Sequence, residues 1–147
     1  ALKQQLVRRK KEAPSSFSQA VAFASFAAAG ELHASAVVVF SQTGATAKLV
    51  SKLRPSTPIV AFTPLEETKR RLSLIWGVQP FCIEFGGHTD EMICRGEAAM
   101  LNNGLAELGD TIVVVSGTKV GMRGATNMMK IDKIGGEECK LYIKGQS

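Results

Sequence analysis

Short apolar runs alternate with stretches of helical spacing along most of the chain. Apolar or β-branched runs predict five strands, at residues 36–40, 59–62, 81–85, 111–115 and 127–131. Before and between them, apolar residues recur every three or four positions and predict helices over residues 17–30, 47–54, 64–76 and 89–101. We expect a serine at position 15 or 16 to cap the first helix and Pro55 to end the second.

Most of the predicted strands are apolar throughout rather than alternately polar and apolar. A strand has this composition when helices cover both faces of its sheet. Such strands, alternating with helices, predict an α/β fold: a three-layer α/β/α sandwich with right-handed crossovers and a largely parallel sheet. A chain of 147 residues suits one domain of this kind. Its ligands are expected at the carboxyl ends of the strands.

The two ends of the chain depart from this pattern. We expect residues 1–14 to form a basic lead-in helix or connector, residues 15–131 the domain, and residues 132–147 an extension, either a short extra strand or an ordered tail. The chain begins with alanine, which suggests a fragment trimmed from a longer protein. No membrane span is expected, because no apolar run reaches the roughly 18 residues that a spanning helix needs. A secretory signal is not expected either, because residues 1–12 have no apolar run after their charges and no small-residue cleavage site.

Charge and cysteine content narrow the classes of partner. The net charge is +5, but much of it lies in residues 8–11, and few aromatic residues accompany the remainder, so nucleic-acid binding is a weak alternative. The three cysteines, Cys82, Cys94 and Cys139, are widely spaced. This spacing suggests neither a disulfide framework nor a zinc site, and it fits a reducing environment, the cytoplasm or the interior of an organelle.

The turn after the first strand carries the most informative chemistry. Its residues are Ser41, Gln42, Thr43, Gly44, Ala45 and Thr46. Three hydroxyl groups, a glycine and the start of the next helix together offer hydrogen-bond donors and a positive dipole end to a phosphate. An ordinary capped turn between a strand and a helix has the same composition, so both interpretations stay open.

A second loop of interest follows the fourth strand. Residues 117–124 combine three glycines with Lys119 and Arg123, but a strand follows them rather than a helix, which disfavours a dinucleotide site. No catalytic residues are predicted, because the histidines His33 and His88 lie far apart and the sequence contains no nucleophile elbow, zinc-protease motif or acidic cluster.

Several of these segments, in their order, resemble the carboxyl-terminal regulatory domain of the pyruvate kinase family. Residues 37–63, VVVFSQTGATAKLVSKLRPSTPIVAFT, match its strand, Ser/Thr-Gly loop, helix ending in Arg-Pro, and second strand ending in threonine. Residues 70–80, RRLSLIWGVQP, are similar to its arginine, leucine, aromatic, glycine and proline segment. The stretches TDEMI, GDTIVVVSG and GATN fit its closing half, so the resemblance covers about residues 18–131.

The resemblance implies a mixed five-stranded sheet whose last strand is antiparallel. It also implies attachment to a (β/α) barrel that transfers phosphate between phosphoenolpyruvate and ADP in glycolysis, using magnesium and potassium. The domain itself would then hold no cofactor, and this chain alone would not catalyse the reaction. The implied partners are a phosphorylated effector such as fructose 1,6-bisphosphate, the barrel, and further copies in a cytoplasmic homo-oligomer, with neither nucleic acid nor membrane.

Carried over residue by residue, the resemblance places the effector phosphate in the loop after the first strand. The residues assigned are Ser41, Gln42, Thr43, Gly44, Ala45, Thr46, His88, Arg95, Lys119, Gly121 and Arg123. His88 and Arg95 stand where sugar-bisphosphate binders of the family often have tryptophan and arginine, and Gln42 and Ala45 stand where other members have further hydroxyl or basic residues. Another phosphorylated metabolite as effector, and a vestigial site, are therefore alternatives. Two further alternatives are a stand-alone α/β protein that binds or acts on a phosphorylated small molecule, and a pure assembly module.

Overall fold

The computed structural model describes residues 16–117 and 126–144. Within these residues the helices are α1 (Phe17–Leu32), α2 (Ala45–Lys52), α3 (Glu66–Leu72), α4 (Thr89–Asn102) and α5 (Lys140–Lys144), with a 3-10 turn at Glu137–Cys139 before α5. The strands are β1 (Ala36–Phe40), β2 (Ile59–Thr63), β3 (Val78–Cys82), β4 (Thr111–Gly117) and β5 (Thr126–Lys133). Strands and helices alternate from α1 to β4, as the sequence pattern predicts.

The sheet has the strand order β3-β2-β1-β4-β5. β1 pairs in parallel with both β2 and β4, and β2 pairs in parallel with β3. β5 pairs with β4 in the antiparallel direction. The predicted α/β fold with a mixed five-stranded sheet and an antiparallel last strand is therefore confirmed.

Helices cover both faces of this sheet, and the strands alternate between two apolar cores. Val37 and Val39 of β1 face α1, α2 and α3, whereas Val38 and Phe40 face α4 and the segment after β5. This alternation explains why β1 is apolar at every position, β2 is apolar up to its final threonine, and both strands are buried throughout. Among the described residues, no helix is both long and apolar enough to cross a membrane.

The predicted bounds of two elements differ from the observed ones by three residues or more. β3 spans Val78–Cys82, three residues before the predicted 81–85. Pro80 is tolerated within it because β3 lies at the sheet edge, where a strand pairs on one side only. α3 ends at Leu72 instead of Trp76, since the amides of Leu74 and Ile75 bond three residues back in a tight turn.

The structure corrects the expectation that the cysteines form no disulfide. Cys94 of α4 and Cys139 of the 3-10 turn are joined by a disulfide bond, and Cys82 is free. The residues after β5 form the 3-10 turn and α5 rather than an extra strand. Residues 1–15, which include the predicted basic lead-in, lie outside the described residues.

Candidate functional site

The loop after β1, residues 41–46, lies at the switch point of the sheet. From β1 the chain moves outward through β2 to β3, then returns to place β4 on the other side of β1. In open α/β sheets the crevice at such a point, at the carboxyl ends of the strands, is the usual ligand site. The pairing of Val39 with Val115 brings the carboxyl ends of β1 and β4 together.

Hydroxyl side chains shape the backbone of this loop. The Gly44 amide donates to Ser41 Oγ at 2.8 Å, and the Ala45 amide donates to Thr43 Oγ1 at 3.3 Å. A hydroxyl oxygen that accepts such a bond still has its own O–H to donate. Ser41 and Thr43 can therefore hold the loop and bind an anion at the same time.

Gly44 begins α2 and fits tightly against α3. Its φ of +81° is a left-handed conformation that favours glycine. A Cβ atom at this position would lie 2.9 Å from Leu72 Cδ2, and Leu72 is buried. The loop leads directly into α2, so it lies at the positive end of the helix dipole. Gly44, the N-cap residue, has no side chain that could cap the helix there.

Replacing Gly44 with alanine should therefore destabilise the fold by more than a glycine with the same φ elsewhere. Gly77 is the matched control, with φ +71° and no atom within 4 Å of an added Cβ. We expect Gly77→Ala to cost about 1 kcal/mol for the left-handed conformation and Gly44→Ala about 2 kcal/mol, because contact with Leu72 is added. Urea unfolding of both variants measures the difference, and equal losses would contradict the close contact.

Arg71 is a candidate site residue that the sequence analysis did not assign. Thr68 Oγ1 donates to the Gln42 carbonyl oxygen at 2.7 Å, and Arg71 Nη2 donates to Thr68 Oγ1 at 3.1 Å. Thr68 thus links the guanidinium group of Arg71 to the loop after β1. The sequence shows only that Thr68 and Arg71, three positions apart on the helix after β2, share one helix face; it does not show that this face meets the loop.

His88 and Arg95 lie on the connection after β3 and on α4. His88 is the exposed N-cap residue of α4. Arg95 Nη1 donates to the Gly86 carbonyl oxygen at 2.6 Å, and its Nη2 lies 3.6 Å from Glu91 Oε2. The described contacts of Arg95 are therefore with the loop after β3 and with its own helix, not with residues 41–46.

The other residues assigned from the sequence lie beyond what the structure describes. Lys119, Gly121 and Arg123 fall within residues 118–125, which are outside the described ranges. Over residues 16–117 and 126–144, no group of three or more His, Cys, Asp or Glu side chains is placed to hold a metal ion. No described residue is therefore assigned to the magnesium or potassium that the resemblance implies for a larger enzyme.

An open groove of about 440 Å³ lies at the amino ends of β2 and β3, at the other end of the strands from the loop of residues 41–46. It is lined by residues 55–58, before β2, and by residues that precede and begin β3, among them Trp76. The Trp76 side chain is half exposed, and the Arg54 guanidinium carbon lies 4.6 Å from its ring centroid. This contact is a cation–π interaction, and it lies away from the carboxyl ends of the strands.

Comparison with known proteins gives one consistent family. A family profile described as "Pyruvate kinase, alpha/beta domain" matches residues 19–132. The chain is 37% identical over 129 residues to the pyruvate kinase of Clostridium acetobutylicum, covering 88% of this chain and 27% of that protein. It is 40% identical over 106 residues to that of Staphylococcus aureus, covering 72% of this chain and 18% of that protein.

Solved structures of pyruvate kinases have the same fold over most of this chain. The crystal structure of Cryptosporidium parvum pyruvate kinase superposes with a TM-score of 0.74 at 27% identity, covering 88% of this chain and 25% of that one. Against both this structure and the Clostridium relative, the chain spans about a quarter of the length of the protein it matches.

Proposed function

This chain belongs to the pyruvate kinase family, as its carboxyl-terminal α/β domain, and from that premise we propose that it is a regulatory domain that binds a phosphorylated effector. The observation that carries the proposal is the loop of residues 41–46 at the switch point of the sheet. The effector class is a sugar bisphosphate or a similar phosphorylated metabolite.

The donors of the loop suit one phosphate group. The Ser41 and Thr43 hydroxyls accept bonds from loop amides and keep their own protons to donate. The amino terminus of α2 adds a positive dipole end, which favours an anion within the first turn. These groups are neutral, so a second phosphate on the same ligand would need a cation.

Four cations are candidates for that second phosphate. Arg71 is held beside the loop through Thr68 and Gln42. Arg95 would have to give up its bond to Gly86. Lys119 and Arg123 follow β4, which ends next to the loop. Arginine can bind a phosphate through two parallel hydrogen bonds, which favours Arg71 as the partner within the described residues.

The remaining parts of the proposal concern the whole protein. We propose that it transfers phosphate between phosphoenolpyruvate and ADP in the cytoplasm, using magnesium and potassium on a barrel attached to this domain. We also propose that the domain contacts other subunits of a homo-oligomer. In support of such contacts, several large apolar side chains of the domain are exposed, namely Phe17, Leu74, Trp76, Leu108, Ile131 and Leu141.

Thermal denaturation with fructose 1,6-bisphosphate tests the effector site. Preferential binding to the folded state at 100 times the dissociation constant stabilises by about 2.7 kcal/mol, which should raise the melting temperature by roughly 5–10 °C. Thr43→Glu should abolish this shift, because the new carboxylate occupies the position of the anion. The variant should still fold, since the bond that it loses, 3.3 Å from the Ala45 amide to Thr43 Oγ1, is exposed.

Ser56→Glu is the matched control, because Ser56 is an exposed hydroxyl residue before β2, at the amino ends of the strands. This variant should keep the full ligand response. A flat response of the unmodified chain, in melting and in calorimetric titration with the bisphosphate and with inorganic phosphate, would refute the effector site. If that chain also forms dimers by light scattering, the assembly-module alternative gains.

A further inference from the structure

The segment after β5 is held by groups of three different kinds, two of them on α4 and one on β5. The first is the disulfide between Cys94 and Cys139. The second is a hydrogen bond from the Gly135 amide to Glu97 Oε1 at 3.0 Å. The third is an ion pair between Lys130 and Glu138, whose atoms lie 3.6 Å apart. All three lie on the same side of the sheet, where Ile134 enters the core.

Ile134 is buried, accepts a hydrogen bond from the Gly109 amide and donates one to the Asp110 carbonyl, but most of the residues after it lie at the surface. None of the residues of α5 is buried, and Leu141 is 83% exposed. The 3-10 turn and α5 are three and five residues long, and helices this short are not stable without tertiary contacts. Opening of this segment is therefore expected to require much less free energy than unfolding of the sheet.

The surroundings of the two sulfur atoms suit thiols as well as a disulfide. Cys139 Sγ lies 3.4 Å from Glu97 Oε2, and Cys94 Sγ lies 3.6 Å from the Glu138 carbonyl oxygen. When the bond is reduced, each thiol has an acceptor within reach, although both cysteines are buried. The reduced state therefore leaves no buried donor without a partner at this position.

We infer that Cys94 and Cys139 form a reversible thiol–disulfide latch that fastens or releases the segment after β5. The family profile ends at residue 132, so the latch depends on a part of the chain beyond the matched domain. Cys94 is next to Arg95, which binds the loop after β3, so the fastened helix is also the helix that holds this loop. The latch rests on the contacts around Cys139 and is independent of the proposed effector site.

Formation and release are ordinary exchange with a low-molecular-weight thiol couple. On closing, the two cysteine thiols transfer two electrons and two protons to an external disulfide, which becomes two thiols. On release, local opening of the segment first exposes the buried disulfide. An external thiolate then attacks Cys94 Sγ, the protein disulfide breaks, and Cys139 leaves as a thiolate that takes up a proton. A second external thiol then attacks the mixed disulfide, which releases the reagent as its own disulfide and leaves two cysteine thiols.

Glu97 is placed to supply the proton for the leaving thiolate. Burial is the main cause that raises the pKa of its carboxyl group; with the Gly135 amide and Lys130 lowering the pKa and the charge of Asp132 raising it, the net value is about 7. Lys130 also faces Asp90 and Glu138, which complete the charged groups described around this position. Near neutral pH a fraction of Glu97 is therefore protonated 3.4 Å from Cys139 Sγ.

Thiol counting on the whole chain tests the latch. The protein is equilibrated with oxidised glutathione or with dithiothreitol, blocked with N-ethylmaleimide under denaturing conditions, and analysed by mass spectrometry. We expect one modified cysteine, Cys82, after oxidation and three after reduction. Cys82→Ser should keep this response and Cys139→Ser should lose it. If Cys139→Ser does not fold, Cys94→Ser takes its place.

Limited digestion with trypsin measures release of the segment. Cleavage after Lys140 should be about 5-fold faster or more in the reduced protein, because a cut then requires only local opening. Cys139→Ser should be cut at the fast rate under both conditions. Three modified cysteines after oxidation, a crosslink through Cys82, stable glutathione adducts, or equal cleavage rates in the oxidised and reduced protein would each overturn the inference.

Discussion

Gly96→Val is expected to destabilise the domain by about 3 kcal/mol, at the upper end of the range for overpacked cores. Gly96 is buried on the face of α4 that packs against the sheet. A Cβ atom there would lie 2.7 Å from Phe40 Cζ and 3.2 Å from Phe62 Cε2. These rings cannot move aside freely, because they stack on each other with centroids 5.3 Å apart and Phe40 also contacts Phe85.

Gly30→Val is the matched control for this prediction. Gly30 also lies within a helix, α1, but it is exposed and no atom lies within 4 Å of an added Cβ. Because valine has a slightly better helix propensity than glycine, this variant should stay within about 0.5 kcal/mol of the parent. Urea unfolding measures both, and a loss for Gly96→Val no larger than that for Gly30→Val would contradict the close approach of α4 to the sheet.

The same packing shows what the sequence could predict about the fold. β1, β2 and β4 are apolar at successive positions, and their predicted starts match the structure because burial on both faces leaves a strong signal. The edge strand β3 has a weaker signal. Two of the apolar residues in the predicted strand, Ile83 and Phe85, lie beyond β3 and pack against the core from the connection to α4. Their apolar side chains indicate that they pack against the core, but they do not indicate that the backbone is in a strand.

The candidate site was predictable where it depended on local sequence. The hydroxyl and glycine turn after β1 could be identified from one segment, since the strand, loop and helix are consecutive. Arg71 could not, because its place beside the loop depends on a bond between Thr68 and the Gln42 carbonyl, 26 positions apart. The disulfide was missed for the same reason, since Cys94 and Cys139 are separated by 45 positions and meet only when the segment after β5 folds back on α4.

Glu97 is the buried ionisable group for which folding has the clearest consequence. Its side chain is 1% exposed and faces the disulfide, the Gly135 amide and Asp132. Burial raises the pKa of the carboxyl group from 4.5 to about 7, because a charge is poorly solvated there. Between these two values the folded chain holds a proton that the unfolded chain has released. The free energy of unfolding should therefore fall as the pH rises through this window, and the loss from Glu97 is complete above about pH 7.

Glu97→Gln should remove this loss, because glutamine stays neutral and keeps an oxygen that can accept the Gly135 amide. The difference in unfolding free energy between variant and parent should rise by up to about 1.4 kcal/mol per pH unit, reaching roughly 3 kcal/mol in favour of the variant by pH 7.5. Urea titrations of both proteins at half-unit pH steps measure this difference, in which the titration of shared carboxylates cancels. A difference that stays constant from pH 4 to pH 8 would show that Glu97 titrates alike in the folded and unfolded chain. In that case the segment after β5 would not bury the carboxyl group in solution.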